Sequence, residues 1–230
     1  MEPVKLSVVI PTLDEARGIV ATLAALQPAR REGHEVILVD GGSRDPTRDL
    51  ARPLVDHLLD SPAGRAEQMN RGAAAASGEG LLFLHADTLV PQDFAAAIAG
   101  ALGAGAEWGR FDLHLDGHHP ALRMVETMIN VRSRLSSIAT GDQGIFVRRD
   151  LFAALGGYAP IPLMEDVELC RRLKRRAPPA CLRQRVVTSS RRWEQQGIAR
   201  TILLMWWLRA RFALGADPAR LARAYASPRG

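Results

Sequence analysis

Apolar runs that alternate with segments of helical periodicity constrain the fold of this chain more than any other feature. Strongly apolar runs occupy residues 5–10, 35–39 and 81–84, and a weaker one occupies residues 54–59. Their length and β-branched content predict buried strands. Two helical patterns start near Asp14-Glu15 and at Asp45-Pro46. Two more cover residues 65–76 and 91–102. Alternating strands and helices predict an α/β fold whose sheet is mostly parallel and flanked by helices.

Polar residues follow three of these strands, namely Thr12, Asp40 and Asp87. Ligands of parallel sheets bind beyond the carboxyl ends of the strands. We therefore expect the three residues to lie along one edge. Each aspartate alone is also typical of a helix cap or a turn. Together they suit recognition of a ribose or base and the binding of a divalent cation.

The alternation of strands and helices becomes less regular after residue 105. Residues 108–115 alternate like an antiparallel or edge strand, and residues 145–147 predict a further short strand. Helices are expected over residues 121–135, 165–176, 198–214 and 218–225. No repeat or linker divides the chain. We predict one domain over residues 1–195, followed by a helical segment over residues 196–230 that packs on the domain, on a dimer partner or on a membrane surface.

The net charge of +5 conceals a division of charge along the chain. Residues 1–170 carry 15 basic and 23 acidic side chains, whereas residues 171–230 carry 15 basic and 2 acidic ones. A basic end is compatible with nucleic acid, an anionic membrane or a phosphorylated ligand. Two cysteines and no signal-peptide pattern lead us to expect a cytoplasmic protein, with peripheral contact to the inner face of the membrane as an open alternative.

Several further residues are candidates for a site. His85 and Asp87 lie on the same side of an extended segment, where His85 would be a metal ligand, a ligand contact or a satisfied polar residue. Arg65, near a helix start, would meet a base or phosphate or remain an ordinary surface side chain. Glu165 and Asp166 begin a helix, where acids are favourable in any case. Their functional interpretation is removal of a proton from a nucleophile.

Two polar segments complete the set of candidates. Gly141, Asp142 and Gln143 form a turn between apolar stretches and are expected in the wall of the same site. Arg192 and Trp193 offer a cation and an aromatic face, which suit a phosphate or packing within the fold.

Four motifs occur in register with the expected strands and with the helix start at residue 165. They are VVIPTLDE at residues 8–15, VDGGSRDPT at 39–47, LHAD at 84–87 and MED at 164–166. As an ordered set this resembles the family 2 glycosyltransferases of GT-A fold. Within that family the chain is most similar to a small bacterial subgroup called selenodomain-associated transferases. The resemblance spans about residues 4–195.

The resemblance implies roles for individual residues. Nucleotide contacts fall on Pro11, Thr12, Asp14, Glu15, Asp40, Arg65 and Asp87. His85 replaces the first acid of the DxD motif, and Asp87 keeps the contact with Mg²⁺ or Mn²⁺. Asp166 matches the catalytic base, with Glu165 beside it. Arg192 and Trp193 match the end of the QxxRW motif, whose glutamine is Ser189 here. The implied reaction is inverting transfer from a nucleotide diphosphate sugar, a UDP-sugar by preference.

Rival interpretations are a sugar nucleotidyltransferase and a non-catalytic nucleotide-sugar-binding or membrane-surface adaptor. A nucleotidyltransferase would open with a glycine-rich loop, which residues 9–14 do not provide. Nucleic-acid binding ranks last, because no recognised module is present. The expected acceptor is a small molecule or a lipid-linked one. The segment 198–214 is too short and too rich in arginine to span a bilayer. It would pack on the domain, form a homodimer or rest on a membrane.

Overall fold

The computed structural model of the protein describes residues 4–226. Eight strands form one sheet, and ten helices surround it in these residues. The strands are β1 (Leu6–Thr12), β2 (Glu35–Asp40), β3 (His57–Asp60), β4 (Gly80–Phe83), β5 (Thr88–Leu89), β6 (Trp108–Leu115), β7 (Ile145–Arg148) and β8 (Ala180–Thr188). The helices are α1 (Ile19–Arg31), α2 (Thr47–Ala51), α3 (Arg65–Ala75), α4 (Phe94–Gly103), α5 (Pro120–Ser136), α6 (Arg149–Ala154), α7 (Glu165–Leu173), α8 (Arg191–Gln196), α9 (Ile198–Ala213) and α10 (Pro218–Ala226).

The strand order in the sheet is β3-β2-β1-β4-β7-β6-β8-β5. Strands β1 to β4 pair in parallel, which confirms the expected crossovers in the first hundred residues. Strand β7 is antiparallel to both β4 and β6, so the second half of the sheet is mixed. The α/β class and the flanking helices are therefore as predicted, and the parallel arrangement covers only the first half.

Two details of the expected fold are wrong. Strand β6 is neither an edge strand nor purely antiparallel, because it lies between β7 and β8 and runs parallel to β8. The first helix begins at Ile19 rather than at Asp14-Glu15. Asp14 has a φ of 55°, and its N–H donates to the Ser43 hydroxyl at 2.9 Å, so this segment is a turn held by the loop after β2.

Successive side chains of the buried strands point to opposite faces of the sheet, so they pack into two apolar layers, one on each face. Val8 and Ile10 pack with α1, α4 and α5, whereas Val9 packs with α3, α6 and α7. Leu208 of α9 and Leu221 of α10 are buried in the second layer. Helix α10 therefore lies on the same face as α7, which begins at Glu165, whereas α9 also contacts the first layer through Ile198 and Ile202.

Across the described residues, none of the helices combines the length and apolar character that crossing a bilayer requires.

Candidate active site

The carboxyl ends of β1 and β2 are tied together at the edge where a ligand is expected. Thr12 and Asp40 are direct partners in the parallel register. The side-chain amide of Gln68, from α3, donates to the carbonyl oxygens of Thr12 and Val39, both at 2.8 Å. Gln68 is buried, so it satisfies two carbonyls that would otherwise lack a donor. No sequence signal marked this residue.

Asp40 is fully buried and organises the loop that follows β2. Its carboxylate accepts the N–H groups of Gly42 at 3.0 Å and Ser43 at 2.9 Å, and the Ser43 hydroxyl at 2.5 Å. Arg48 lies 3.3 Å away. Burial acts to raise the pKa of Asp40, but the hydrogen bonds from Ser43 and Gly42 outweigh it, and the pKa is lowered. Asp40 therefore orders the loop after β2 from a buried position.

Hydrogen bonds join the loop after β1 to the loop after β2. The carboxylate of Asp14 accepts the N–H of Arg44 at 2.7 Å, and Asp45 accepts the N–H of Ala16 at 3.0 Å. Glu15 belongs to the first of these loops, and its N–H donates to the Thr47 hydroxyl at 2.8 Å. Burial raises its pKa, and the neighbouring carboxylate of Asp87 raises it further. Glu15 and Asp87, which are far apart in sequence, are thus electrostatic neighbours.

A cavity of about 1430 Å³ opens beside this edge. Most of the residues expected at the site line it: Arg65, His85, Asp87, Gly141, Asp142, Glu165, Asp166, Arg192 and Trp193. Pro11, Thr12, Asp14, Glu15 and Asp40 lie at the strand edge without lining the cavity. Gln143 is fully buried instead, where it donates to the hydroxyl of Ser133 at 3.1 Å. Its side chain is not available to a ligand.

Asp166 is held at the start of α7 by two backbone groups. The N–H of Gly141 donates to its Oδ2 at 2.8 Å, and the N–H of Val167 donates to its Oδ1 at 2.6 Å. Met164, just before the helix, has a φ of 68°, a left-handed conformation that is costly for a residue with a side chain. Glu165 and Asp166, which follow this turn, line the cavity.

Glu165 is buried beside Asp166 and is only partly satisfied. Its Oε1 lies 3.1 Å from Nε of Arg65, and its Oε2 has no hydrogen-bond partner within residues 4–226. Burial raises the pKa of Glu165, Arg65 opposes that rise, and Asp166 adds to it. A buried carboxylate oxygen without a donor is costly. Glu165 is therefore suited to accept a hydrogen bond from a bound hydroxyl.

His85, Gly141 and Asp142 also line the cavity, and Gly141 lies close to the imidazole of His85. A Cβ at Gly141 would come 2.5 Å from Nε2 of His85, so only glycine fits without a shift. Burial lowers the pKa of His85 to about 3, with Arg65 adding to the effect, and the imidazole is neutral near pH 7. Burial also raises the pKa of Asp142, whose Oδ1 has no partner in the described chain.

Arginine side chains face these acids across the cavity. Burial lowers the pKa of Arg192, and the nearby Arg65 lowers it further. The guanidinium of Arg192 lies 3.6 Å from the ring centre of Tyr225 in α10, a cation–π contact that sequence reasoning did not anticipate. Arg191 counteracts the rise in the pKa of Asp87 that burial causes. Adjacent guanidinium groups of this kind suit a diphosphate.

The donor set fits a divalent cation only if the ligand contributes to its coordination. Within residues 4–226, no three His, Cys, Asp or Glu side chains lie close enough to hold an ion by themselves. Mg²⁺ is commonly bound by one or two carboxylates together with substrate phosphates. Asp87 is such a carboxylate, and the neutral imidazole of His85 is near it in sequence. Asp87 and His85 therefore fit a divalent ion whose remaining ligands come from a bound diphosphate.

Comparison with known proteins identifies the family. The model described as "Glycosyl transferase family 2" matches residues 7–152, which is more than half of the chain. The chain belongs to glycosyltransferase family 2. The match covers β1 to β7, and it ends before Asp166 and Arg192, whose roles rest on the resemblance and the geometry. Membership of the selenodomain-associated subgroup stays a prediction.

Curated relatives of this family 2 glycosyltransferase include mycobacterial enzymes that are themselves named glycosyltransferases. The chain is 37% identical over 172 residues to the "PGL/p-HBAD biosynthesis glycosyltransferase" of Mycobacterium bovis and of Mycobacterium tuberculosis. That alignment covers 66% of this chain and 62% of the relative. The chain thus spans less than two thirds of the length of these curated relatives.

Solved structures confirm the GT-A fold. The mannosyltransferase PcManGT from Pyrobaculum calidifontis, in complex with GDP-Man and Mn²⁺, superimposes with a TM-score of 0.67 at 20% identity, covering 98% of this chain and 70% of the other. Glucosyl-3-phosphoglycerate synthase from Mycobacterium tuberculosis, with Mn²⁺, UDP and glucosyl-3-phosphoglycerate, gives 0.65 at 21% identity, with coverage of 87% and 78%.

Proposed function

We propose that this protein transfers a sugar from a nucleotide diphosphate sugar to a hydroxyl acceptor, with inversion and with Asp166 as the general base. One observation carries the proposal. Asp166, Asp87 and Arg192 line the same cavity, and a backbone N–H fixes the carboxylate of Asp166 there. A base, a cation ligand and a phosphate-binding guanidinium are the groups that such a transfer requires.

The nucleoside binds at the edge formed by β1 and β2. Pro11, Thr12, Asp14 and Glu15 contact the base and ribose, and Asp40 acts through the loop that its carboxylate orders. Arg65 binds near the base. The structural neighbours carry UDP in one case and GDP-Man in another, so the fold accommodates either base. The resemblance favours a UDP-sugar as donor.

The diphosphate binds between Asp87 and the arginines. Asp87, with His85 as a neutral second donor, would hold Mg²⁺ or Mn²⁺ together with the phosphate oxygens, and the ion would neutralise charge on the leaving group. Arg192 lines the same cavity and shares that charge. The Mn²⁺ present in the two structural neighbours supports this assignment.

The reaction is a single displacement at the anomeric carbon. The acceptor oxygen attacks from the face opposite the diphosphate, and a new bond to the anomeric carbon forms as the bond to the phosphate oxygen breaks. The acceptor proton moves to Asp166, and the nucleoside diphosphate leaves. Glu165, whose Oε2 has no partner among residues 4–226, accepts a hydrogen bond from a sugar hydroxyl and helps orient the donor. Gly141, Asp142 and Trp193 contribute the wall beside the sugar and acceptor.

The substitution Asp166→Asn tests this assignment. It keeps the size and removes the base, so we expect turnover to fall by about 10²- to 10⁴-fold while the donor still binds. Release of nucleoside diphosphate from a panel of UDP- and GDP-sugars measures turnover, and proton NMR of the product measures inversion. Asp150→Asn, at an exposed aspartate of α6 outside the cavity, is the matched control.

Two results would contradict the proposal. Equal turnover in Asp166→Asn and Asp150→Asn would remove Asp166 as the base. Release of pyrophosphate in place of nucleoside diphosphate would assign nucleotidyl transfer instead.

A further inference from the structure

The cavity continues away from the acids into an apolar groove between α5 and α9. Its walls carry Met128, Val131 and Leu135 from α5, and Ile202, Met205 and Trp206 from α9. We call these six residues the apolar arm. Asp166 and the apolar arm line the same cavity, so one molecule can contact both.

The apolar arm is exposed in a way that packing of the fold does not explain. Leu135 is 83% exposed, Trp206 is 58% exposed and Val131 is 48% exposed. Large apolar side chains that gather at the mouth of a cavity mark a binding surface more often than a chance exposure. Contact with an apolar ligand would remove this surface from water.

The size of the cavity leaves room for a second ligand. Its volume of about 1430 Å³ exceeds the roughly 300–1,000 Å³ that single small-molecule sites usually enclose. The donor, bound at Asp87 and Arg192, occupies the polar end. The apolar arm is then the part of the cavity that remains for the other substrate.

Charge separates the two ends of the cavity. Asp87, Asp142, Glu165 and Asp166 lie at the catalytic end. The α5 and α9 residues that line the cavity include no acid. Of their two charged members, Arg132 is an electrostatic neighbour of Asp142 and Asp166, and Arg209 belongs to α9. An apolar group suits this end, and a cationic group finds no counter-charge there.

These observations point to the chemical class of the acceptor. Given the proposed glycosyl transfer, on which this inference rests, we propose that the acceptor is an amphiphilic alcohol. Its hydroxyl meets Asp166, and its aliphatic or aromatic body lies in the apolar arm between α5 and α9. The contacts that bury the apolar body therefore also hold the reacting oxygen near Asp166.

Binding of a homologous series of alcohols tests the assignment. Titration calorimetry is performed with n-hexanol, n-octanol and n-decanol on the full chain, with UDP and Mn²⁺ present at saturation. We expect the Kd to fall by about two- to fourfold for each added methylene, because each methylene leaves water for the apolar arm. We also expect UDP and the alcohols to bind together without competition.

Neighbouring residues provide matched variants. Trp206→Ser truncates the arm, whereas Trp207→Ser removes an equally large exposed side chain that does not line the cavity. On α5, Leu135→Ser truncates the arm, and Met124→Ser is its control because Met124 is exposed and does not line the cavity. We expect Trp206→Ser and Leu135→Ser to weaken decanol binding about tenfold or more, and the two controls to leave it unchanged. All four positions are exposed, so the fold should tolerate the changes.

The outcomes separate the inference from the function on which it rests. A Kd that does not depend on chain length, competition between decanol and UDP, or equal effects of Trp206→Ser and Trp207→Ser would overturn the acceptor assignment. A Trp206→Ser variant that instead converts a dimer into a monomer, with no effect of chain length, would assign the arm to a second copy. Absence of UDP binding in wild type would overturn the proposed donor site and leave the alcohol series to be judged separately.

Discussion

The N–H of Gly141 donates a 2.8 Å hydrogen bond to Oδ2 of Asp166, although the two residues are 25 positions apart. This bond joins the turn before β7 to the start of α7. Gly141 also packs against His85, which follows β4, so three segments meet at one point. The position of Asp166 thus depends on a residue that has no side chain.

Gly141→Ala tests that dependence. The added Cβ would meet Nε2 of His85 at 2.5 Å, so either the imidazole or the turn must move and the bond to Asp166 is disturbed. Misplacement of a catalytic group by about 1 Å can cost roughly 100-fold in rate. We expect turnover to fall by about ten- to 100-fold, with UDP binding in the absence of Mn²⁺ retained.

Gly100→Ala is the control for this change. Gly100 lies in α4, and no atom would come within 4 Å of an added Cβ. Turnover should be unchanged there, and stability should rise by about 0.5–1 kcal/mol, as for a glycine replaced in a helix. Equal turnover in Gly141→Ala and Gly100→Ala would show that the contact does not position Asp166.

Gln68→Met tests the link between β1 and β2. It keeps the volume but leaves the carbonyls of Thr12 and Val39 without their side-chain donor. We expect a loss of about 1–3 kcal/mol in the free energy of unfolding, measured with urea, and weaker nucleotide binding. Glu67→Gln, at the exposed neighbouring position, should change neither quantity. A Gln68→Met variant as stable as wild type would contradict the role of the amide.

Glu35 gives a dependence of stability on pH. Burial acts to raise its pKa, but hydrogen bonds from Ser7 and from the N–H and hydroxyl of Ser77 outweigh it, and the pKa is lowered. The unfolded state therefore binds more protons, and the stabilisation is present above about pH 4.3 and is lost as the pH falls through the pKa of the folded state.

Glu35→Gln should therefore lower the Tm clearly at pH 7 and only slightly at pH 3, as thermal unfolding of both proteins would measure. Glu32→Gln, at an exposed neighbour, is the control. A Tm difference between wild type and Glu35→Gln that is the same at both pH values would contradict the assignment.

The first half of the sheet was predictable because its strands are continuous apolar runs. Strand β8 was missed because Arg183 and Arg185 interrupt its apolar pattern, and those side chains point outward. The helix start at Glu165-Asp166 was predictable from local sequence. Glu165 and Asp166 share a cavity with Asp87 because of the order of the strands in the sheet. The alternation of strands and helices predicts that order only for the first half of the sheet.

Other parts of the site depend on tertiary contacts that no local pattern encodes. The contact of Tyr225 with Arg192 requires α10 to return to the cavity, and nothing in its sequence specifies that path. Gln68 lies on the buried side of an ordinary helix, where a polar residue gives no periodic signal of its partners. The role of Gln143 was misjudged for a similar reason, since its polar turn faces the interior. Membrane contact and homodimer formation through α9 stay predictions.

Binding of UDP to wild type and to Asp87→Ala, measured by titration calorimetry with and without Mn²⁺, tests the central claim most directly. Asp87 lines the same cavity as Asp166 and is an electrostatic neighbour of Glu15 at the nucleotide edge. We predict that wild type binds UDP at least about tenfold more tightly with Mn²⁺, and that Asp87→Ala loses this gain, because a cation bridge to the diphosphate is removed. Equal UDP affinity with and without Mn²⁺ in both proteins would contradict a metal-dependent donor site at Asp87.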